Sequence, residues 1–193
     1  METCQPITES DPQLRNIKTL LRLRMNGEVS TAMRKSGLDY KVNFGLDATS
    51  IRDVAAKFQP DVILADKLWA ENARECKILA TLLHPKEKFT AEKANLWLDQ
   101  CFLPELSEQL VFNLLQHLPY ASTKVAEWIY QDAENRKTGG YMLALRLYLK
   151  KINLPNIQEL LIQAKSDCQS ENFQLHQTAE RFFDRVSFDF PSL

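Results

Sequence analysis

Glycine is scarce in this chain, with 5 among 193 residues. A sheet-rich fold with many tight turns needs more of them, so the scarcity points away from β architecture. Long apolar runs are also missing. A membrane-spanning helix needs about 20 consecutive apolar residues, so no segment is expected to cross a bilayer. The opening stretch, Met1 to Asp11, is polar and carries acids. It reads neither as a secretory signal nor as a transit peptide. Cysteine offers no site either: Cys4, Cys76, Cys101 and Cys168 are widely scattered, whereas a zinc site needs close pairs such as C-x-x-C. His84, His117 and His176 have no partner at ligand spacing, so neither a metal nor a cofactor is expected. Scattered thiols without an export signal suggest the reducing cytoplasm. An excess of one charge is lacking too, since 24 Lys+Arg oppose 25 Asp+Glu for a net charge of -1. A purely electrostatic nucleic-acid binder carries a global surplus of cations. Any such surface here must be local. Nucleophile elbows and phosphate-cradling glycine loops are absent as well.

What remains is an ordinary globular balance, 45% hydrophobic and 25% charged, in a length that suits one domain over 1–193 with a real core. Leu14, Ile17, Leu20, Leu21 and Met25 recur at helical spacing. Arg15, Lys18, Arg22 and Arg24 lie between them and read as a solvated face, with phosphate contact as the sharper alternative. The pattern predicts further helices over Glu28 to Ser36, Ile51 to Phe58, Asp61 to Ala70 and Ala73 to Leu83. In the connector Gly37 to Ser50, Gly45 can supply a turn closed to other residues. Thr49 or Ser50 can cap the helix that follows. The layout then returns. Thr90 caps Ala91 to Gln100 and Pro104 opens its partner. Ser122 or Thr123 caps Lys124 to Tyr130, which precedes Arg136 to Lys151. Pro155 starts a last pair, Asn156 to Cys168 and Phe173 to Val186. Phe182, Phe183, Phe188 and Phe190 are expected to pin the C-terminus. Helices joined by so few residues run antiparallel. Their pairs recur at roughly thirty to forty residues, the size of α-solenoid units. The expected fold is therefore all-α, built of stacked helix pairs with a concave face for an extended partner.

Several residues have both a bland and a sharp reading. Trp69, Trp97 and Trp128 lie on apolar helical faces and read as core rather than as base-stacking platforms. Gly139 and Gly140 inside a helix each cost about 1 kcal/mol relative to alanine. Close packing of two helices explains them, with close approach to a nucleic-acid backbone as the alternative. Arg74 and Lys77 are three apart on one side of a helix. They are either phosphate contacts or ion-pair partners of Glu71 or Glu75. Arg136 and Lys137 open a later helix in a similar way and, with Lys124, form a candidate phosphate-contacting strip.

A group of stretches then acquires meaning through its order: Val42-Asn-Phe-Gly-Leu46, Ile51-Arg-Asp-Val-Ala-Ala-Lys57, Ala73-Arg-Glu-Cys-Lys-Ile-Leu-Ala80, Glu108-Gln109 with Asn113-Leu114, Ala126-Glu-Trp-Ile129 and Gly139-Gly-Tyr141. In this order the chain resembles the DNA alkylation repair family of HEAT-like repeat (AlkD-like) DNA glycosylases, over roughly residues 14–150. The resemblance implies HEAT-like helical repeats wound into a right-handed superhelix, with a basic concave groove for a DNA duplex. Active members of that family hydrolyse alkylated purines such as 3-methyladenine or 7-methylguanine out of DNA without a tight base pocket. A groove carboxylate stabilises positive charge on the deoxyribose, tryptophans contact the sugar, and an arginine supports the site. Anchored on Gln109 and Asn113, the family's Trp-Asp-x-x-Asp pattern falls on Pro104, Glu105 and Glu108. Its tryptophan is thus missing, and Glu108 stands at the catalytic aspartate. The family's paired basic residues fall on Lys137 and Thr138. The implied site is Glu108 as the catalytic carboxylate, with Arg74, Lys77, Lys124, Arg136 and Lys137 on double-stranded DNA, in a monomer. The bland reading of Glu108 is an exposed acid near a helix N-terminus, where the dipole favours anions. Two functions stay open: a DNA-binding glycosylase for alkylated purines, or a catalytically silent HEAT-like scaffold for a protein partner or undamaged nucleic acid.

Overall fold

The computed structural model describes residues 12–190. The polar stretch Met1 to Asp11, with Cys4, lies outside the described residues. Eleven α-helices and two 3-10 turns account for the described regular structure. The chain divides into two compact units, the boundary falling between Pro85 and Lys86.

The first unit holds α1 (Pro12–Leu23), α2 (Gly27–Lys35), α3 (Ala48–Ala55), α4 (Val62–Ala70) and α5 (Arg74–Leu83). The helical period of α1 carries Ile17 and Leu21 into the interior. Side-chain caps fix where α2, α3 and α4 begin, and α5 starts after Ala73 with no side-chain cap. Asn26 accepts from the Val29 amide, Asp47 from Ser50 at 2.6 Å and Asp61 from Leu64 at 2.7 Å. The cap of α3 is therefore Asp47, not Thr49 or Ser50, which lie inside the helix. α4 and α5 pack side by side, and α5 also packs on α3. Between them Leu64, Leu68, Trp69, Cys76 and Leu79 are buried. Gly45 has φ +73, and a Cβ there would stand 2.2 Å from the Asn26 carbonyl oxygen. Only glycine fits this close crossing of the connector over the start of α2.

The second unit contains the 3-10 turn Lys86–Lys88, α6 (Ala91–Asp99), α7 (Pro104–Asn113), the 3-10 turn Leu115–His117, α8 (Ala121–Ile129), α9 (Glu134–Leu149), α10 (Ile157–Asp167) and α11 (Phe173–Ser187). Its spine is α9, which packs against α6, α7, α8 and α11. The two glycines of α9 make this possible. A Cβ on Gly139 would meet Leu98 Cδ2 at 2.5 Å, and one on Gly140 would meet Ile129 Cγ1 at 2.9 Å. Trp97 and Trp128 are buried, and the Trp128 Nε1–H donates to Asn95 Oδ1 at 2.6 Å. Trp69 is buried likewise. The packing readings of the tryptophans and of the glycine pair describe these residues. Phe182 is fully buried and stacks at 5.7 Å on Tyr141. Phe188, expected to pin the chain end, is instead 82% exposed. The Tyr148 hydroxyl donates to Asp189 and ties the end of α11 to α9 in its place. Among the described residues no helix is long and apolar enough to cross a membrane.

Candidate nucleic-acid interface

The five cations expected on DNA each have a partner within their own unit. Arg74 is buried, its guanidinium donating to the Leu46 carbonyl at 2.9 Å and to Glu75 Oε1 at 3.0 Å. Glu75 in turn accepts from the amides of Phe44 and Leu46 at 3.0 and 3.2 Å. The stretches 42–46 and 73–76 thus meet and lock the connector onto the head of α5. Lys77 donates to the Trp69 carbonyl at 2.6 Å and lies 5.0 Å from the centroid of the Trp69 ring. Lys18 takes Glu71, at 2.6 Å.

In the second unit Lys124 pairs with Glu127 at 2.6 Å. Arg136 grips both oxygens of Asp99, at 2.7 and 2.6 Å, and reaches Gln131 at 2.8 Å. That hydrogen bonding to Asp99 holds the Arg136 pKa above its ordinary value. Lys137 donates to Asp167 at 2.7 Å, whose other oxygen accepts the Tyr141 hydroxyl at 2.7 Å. Burial and the Asp167 contact push the Tyr141 phenol upwards, so it stays protonated. Arg136 and Lys137 both begin α9, yet they serve as clamps from α9 to the ends of α6 and α10. Their attraction to phosphate is offset by carboxylates already in place.

Elsewhere in the second unit Arg181 and Arg185 are exposed and Arg146 is partly buried. Glu108, on α7, is half exposed and lies 3.9 Å from Arg181 of α11, itself half exposed. One turn further along α7, Phe112 is 41% exposed, and the Arg146 guanidinium of α9 lies 4.7 Å from its ring centroid. Arg146 also approaches Gln116 Oε1 at 3.4 Å. One turn beyond Arg181, Arg185 lies 5.6 Å from the Tyr148 ring and 3.4 Å from Asp189. A guanidinium resting on an aromatic ring keeps its planar fork of N–H donors for an outside acceptor, which suits phosphate. Sequence reasoning missed Arg146, Arg181 and Arg185. The available signal was spacing: Arg181 with Arg185, and Arg146 with Lys150, are each four apart and so share a helix face. Which neighbours lie beside them comes only from the fold. Among the described residues no group of three or more His, Cys, Asp or Glu is placed to hold a metal ion.

An all-α chain of short helix pairs with an arginine-bearing face defines a helical-repeat class. The family described as DNA alkylation repair enzyme matches residues 17–179. The protein belongs to that family. No curated protein matches its sequence. A solved structure described as "a new family of proteins related to the HEAT-like repeat DNA glycosylases with affinity for branched DNA structures" is similar to it, with a TM-score of 0.79 and 15% sequence identity. The similarity covers 92% of this chain and 77% of that one. The fold is accordingly that of HEAT-like helical repeats.

Proposed function

We propose that the protein is a DNA-binding member of its family, holding the DNA backbone on the face formed by α7, α9 and α11. The observation that carries this is the exposed pair Arg181 and Arg185, one turn apart on α11, with the partly buried Arg146 on the Phe112 ring of α7. Family membership and the similarity to a group with affinity for branched DNA support it. A DNA partner also agrees with the cytoplasmic location expected from the thiols.

The finer activity, release of alkylated purines, rests on Glu108. Its carboxylate is on the same face and can stabilise positive charge on a deoxyribose. Arg181 beside it would have to swing to a phosphate for that charge to act on the sugar. Pro104 gives the sugar no aromatic wall, and Trp97 and Trp128 are committed to the core. The catalytically silent scaffold is favoured by a separate observation. Lys124, Arg136 and Lys137 are each held by an acid of the same unit at 2.6–2.7 Å, and Arg181 and Arg185 have acids of their own, Glu108 and Asp189, at the looser distances of 3.9 and 3.4 Å, so little charge is left over for DNA.

The test combines fluorescence anisotropy on duplex and four-way-junction DNA with base release from methylated duplex. Binding that is lost in Arg181→Glu, with folding intact, is the expected result. Release abolished by Glu108→Gln would make the protein a glycosylase; absence of release with binding retained leaves a DNA-binding scaffold. Absence of binding to either DNA, even at low salt, overturns the reading.

A further inference from the structure

A trough of about 710 Å³ lies in the first unit between α1 and α4, which pack on each other. Leu14, Lys18 and Arg22 line it from α1. Each is four residues from the next, so they form one stripe two turns long. At 1.5 Å per residue that wall runs about 12 Å. Ile63, Asp66, Lys67 and Ala70 line it from α4, also at the spacing of one helix face. Val42 and Phe44 of the connector and Ala73 and Cys76 at the head of α5 complete the lining. Phe44, Ala73 and Cys76 are buried, whereas Ile63 and Val42 are 65% and 39% exposed. Burial, then the Glu71 charge, push the Cys76 thiol up to about 12, so this part of the lining is uncharged. Backbone pairs hold the shape. The Val42 amide donates to the Asn72 carbonyl at 3.0 Å, and the Asn26 amide to the Phe44 carbonyl at 2.8 Å. They tie the connector to the chain just past the ends of α4 and α1, close in sequence to Lys41 and Arg22.

Charge around the trough is uneven. Lys18, Arg22, Lys41 and Lys67 line it against two carboxylates, Asp66 and Glu71. Glu71 is held by Lys18 at 2.6 Å. Arg22 and Lys41 are exposed. Arg22, in the last turn of α1, also answers the helix dipole; Lys41 stands outside any helix. A concave, mostly apolar lining with a few charged groups, in a volume between about 300 and 1,000 Å³, is how small-molecule sites are built. The two-turn length suits a chain rather than a compact ring, and the surplus of cations selects an anion. We propose that the trough binds a small amphiphilic anion, an aliphatic chain carrying a carboxylate or phosphate head, with the head on Arg22 and Lys41 and the chain over Val42, Phe44 and Ile63. Arg22 can present its planar fork of donors to either oxyanion. The site is formed by the first unit alone and does not depend on the DNA-binding reading.

The experiment follows the methyl resonances of Val42 and Ile63 in the full chain by NMR, assigned with Val42→Ala and Ile63→Val. Decanoate and decyl phosphate are titrated below their micelle concentrations, with decanol as the uncharged control. Saturable shifts of both residues are expected with at least one of the two anions, and decanol should bind about tenfold more weakly. In the double variant Arg22→Glu, Lys41→Glu the anion affinity should fall about tenfold or more. Decanol should bind that variant as before, which separates a lost head contact from a lost fold. Absence of a shift with both anions overturns the proposal, and so does decanol binding as tightly as they do. An anion affinity unchanged in the double variant also overturns it. Shifts that follow protein concentration instead place a second copy of the chain in the trough. Shifts produced by duplex DNA or an acidic helical peptide, and by neither anion, place a macromolecule there. Either result overturns the small-ligand assignment.

Discussion

At Glu75 a fully buried carboxylate accepts hydrogen bonds from two backbone amides and the Arg74 guanidinium. Burying such a charge is costly unless it is both paired and hydrogen-bonded, and here it is both. The stretch Ala73-Arg-Glu-Cys is therefore a structural lock. Arg74 serves it as a positioning residue, and its side chain has almost no surface to offer DNA. Glu75→Ala strands the guanidinium and two amides, so it is expected to lower unfolding stability by about 3–5 kcal/mol, as breaking a buried ion pair does. Urea denaturation measures the loss, and amide exchange at Phe44 and Leu46 reports where the structure opens. Arg74→Ala should likewise weaken the fold while leaving the DNA affinity of the folded fraction unchanged. A stable Arg74→Ala protein with reduced DNA affinity would return Arg74 to the interface.

In α9 the whole second unit depends on how closely its neighbours approach. Alanine at Gly140 gains about 1 kcal/mol in helix propensity. Its Cβ, however, would lie 2.9 Å from Ile129 Cγ1, 3.3 Å from Trp128 Cβ and 3.4 Å from the Ile129 backbone nitrogen. Overpacking of this kind costs about 1–3 kcal/mol, so Gly140→Ala is expected to destabilise on balance. At Gly139 the obstacle is the Leu98 side chain alone, at 2.5 Å from Cδ2, with no backbone atom in the way, so the same substitution should cost less than at Gly140. Paired denaturation curves compare the two, and equal losses would mean that α8 does not set the limit. That α9 is a helix, and that its glycines mark a close approach, is legible from period and composition alone. So are the other ten helices, nine of which bury residues at helical spacing, while α2 has no buried residue. Exact starts are less legible. Asp47 outcompetes Thr49 and Ser50 as the cap of α3, and α8 begins at Ala121 with no side-chain cap at all. Least legible are partners distant in sequence. Arg136 meets Asp99 across 37 positions and Lys137 meets Asp167 across 30. Helix periodicity assigns those cations to a face and gives no hint that acids wait there. The same blindness hid Arg146, Arg181 and Arg185, whose face exists only once α7, α9 and α11 lie together.

Over the whole molecule, charge decides two measurable properties. Cys76 in the first unit and Tyr120 in the second are both pushed up to about 12, chiefly by burial, from ordinary values of 9.0 and 10.0. Each binds its proton more tightly folded than unfolded, so its contribution is fully present below the ordinary value and lost as pH rises. Stability should therefore decline from about pH 9 towards 12, and Cys76→Ala should flatten the first part of that decline; a flat curve from pH 8 to 11 would contradict both shifts. The second property is salt dependence. A chain of net charge -1 gains nothing from its overall field in approaching DNA. Attraction has to come from local counterion release, with a slope of about -0.9 in log K against log salt for every phosphate neutralised. If Arg146, Arg181 and Arg185 each take one phosphate, the slope is about -3. Arg181→Ala should make the slope shallower by about one, and Arg136→Ala, whose charge Asp99 already holds, should leave it unchanged. Anisotropy titrations from 25 to roughly 200 mM salt resolve these differences. A slope that responds to Arg136 and not to Arg181 would move the interface from the α7, α9 and α11 face to the head of α9.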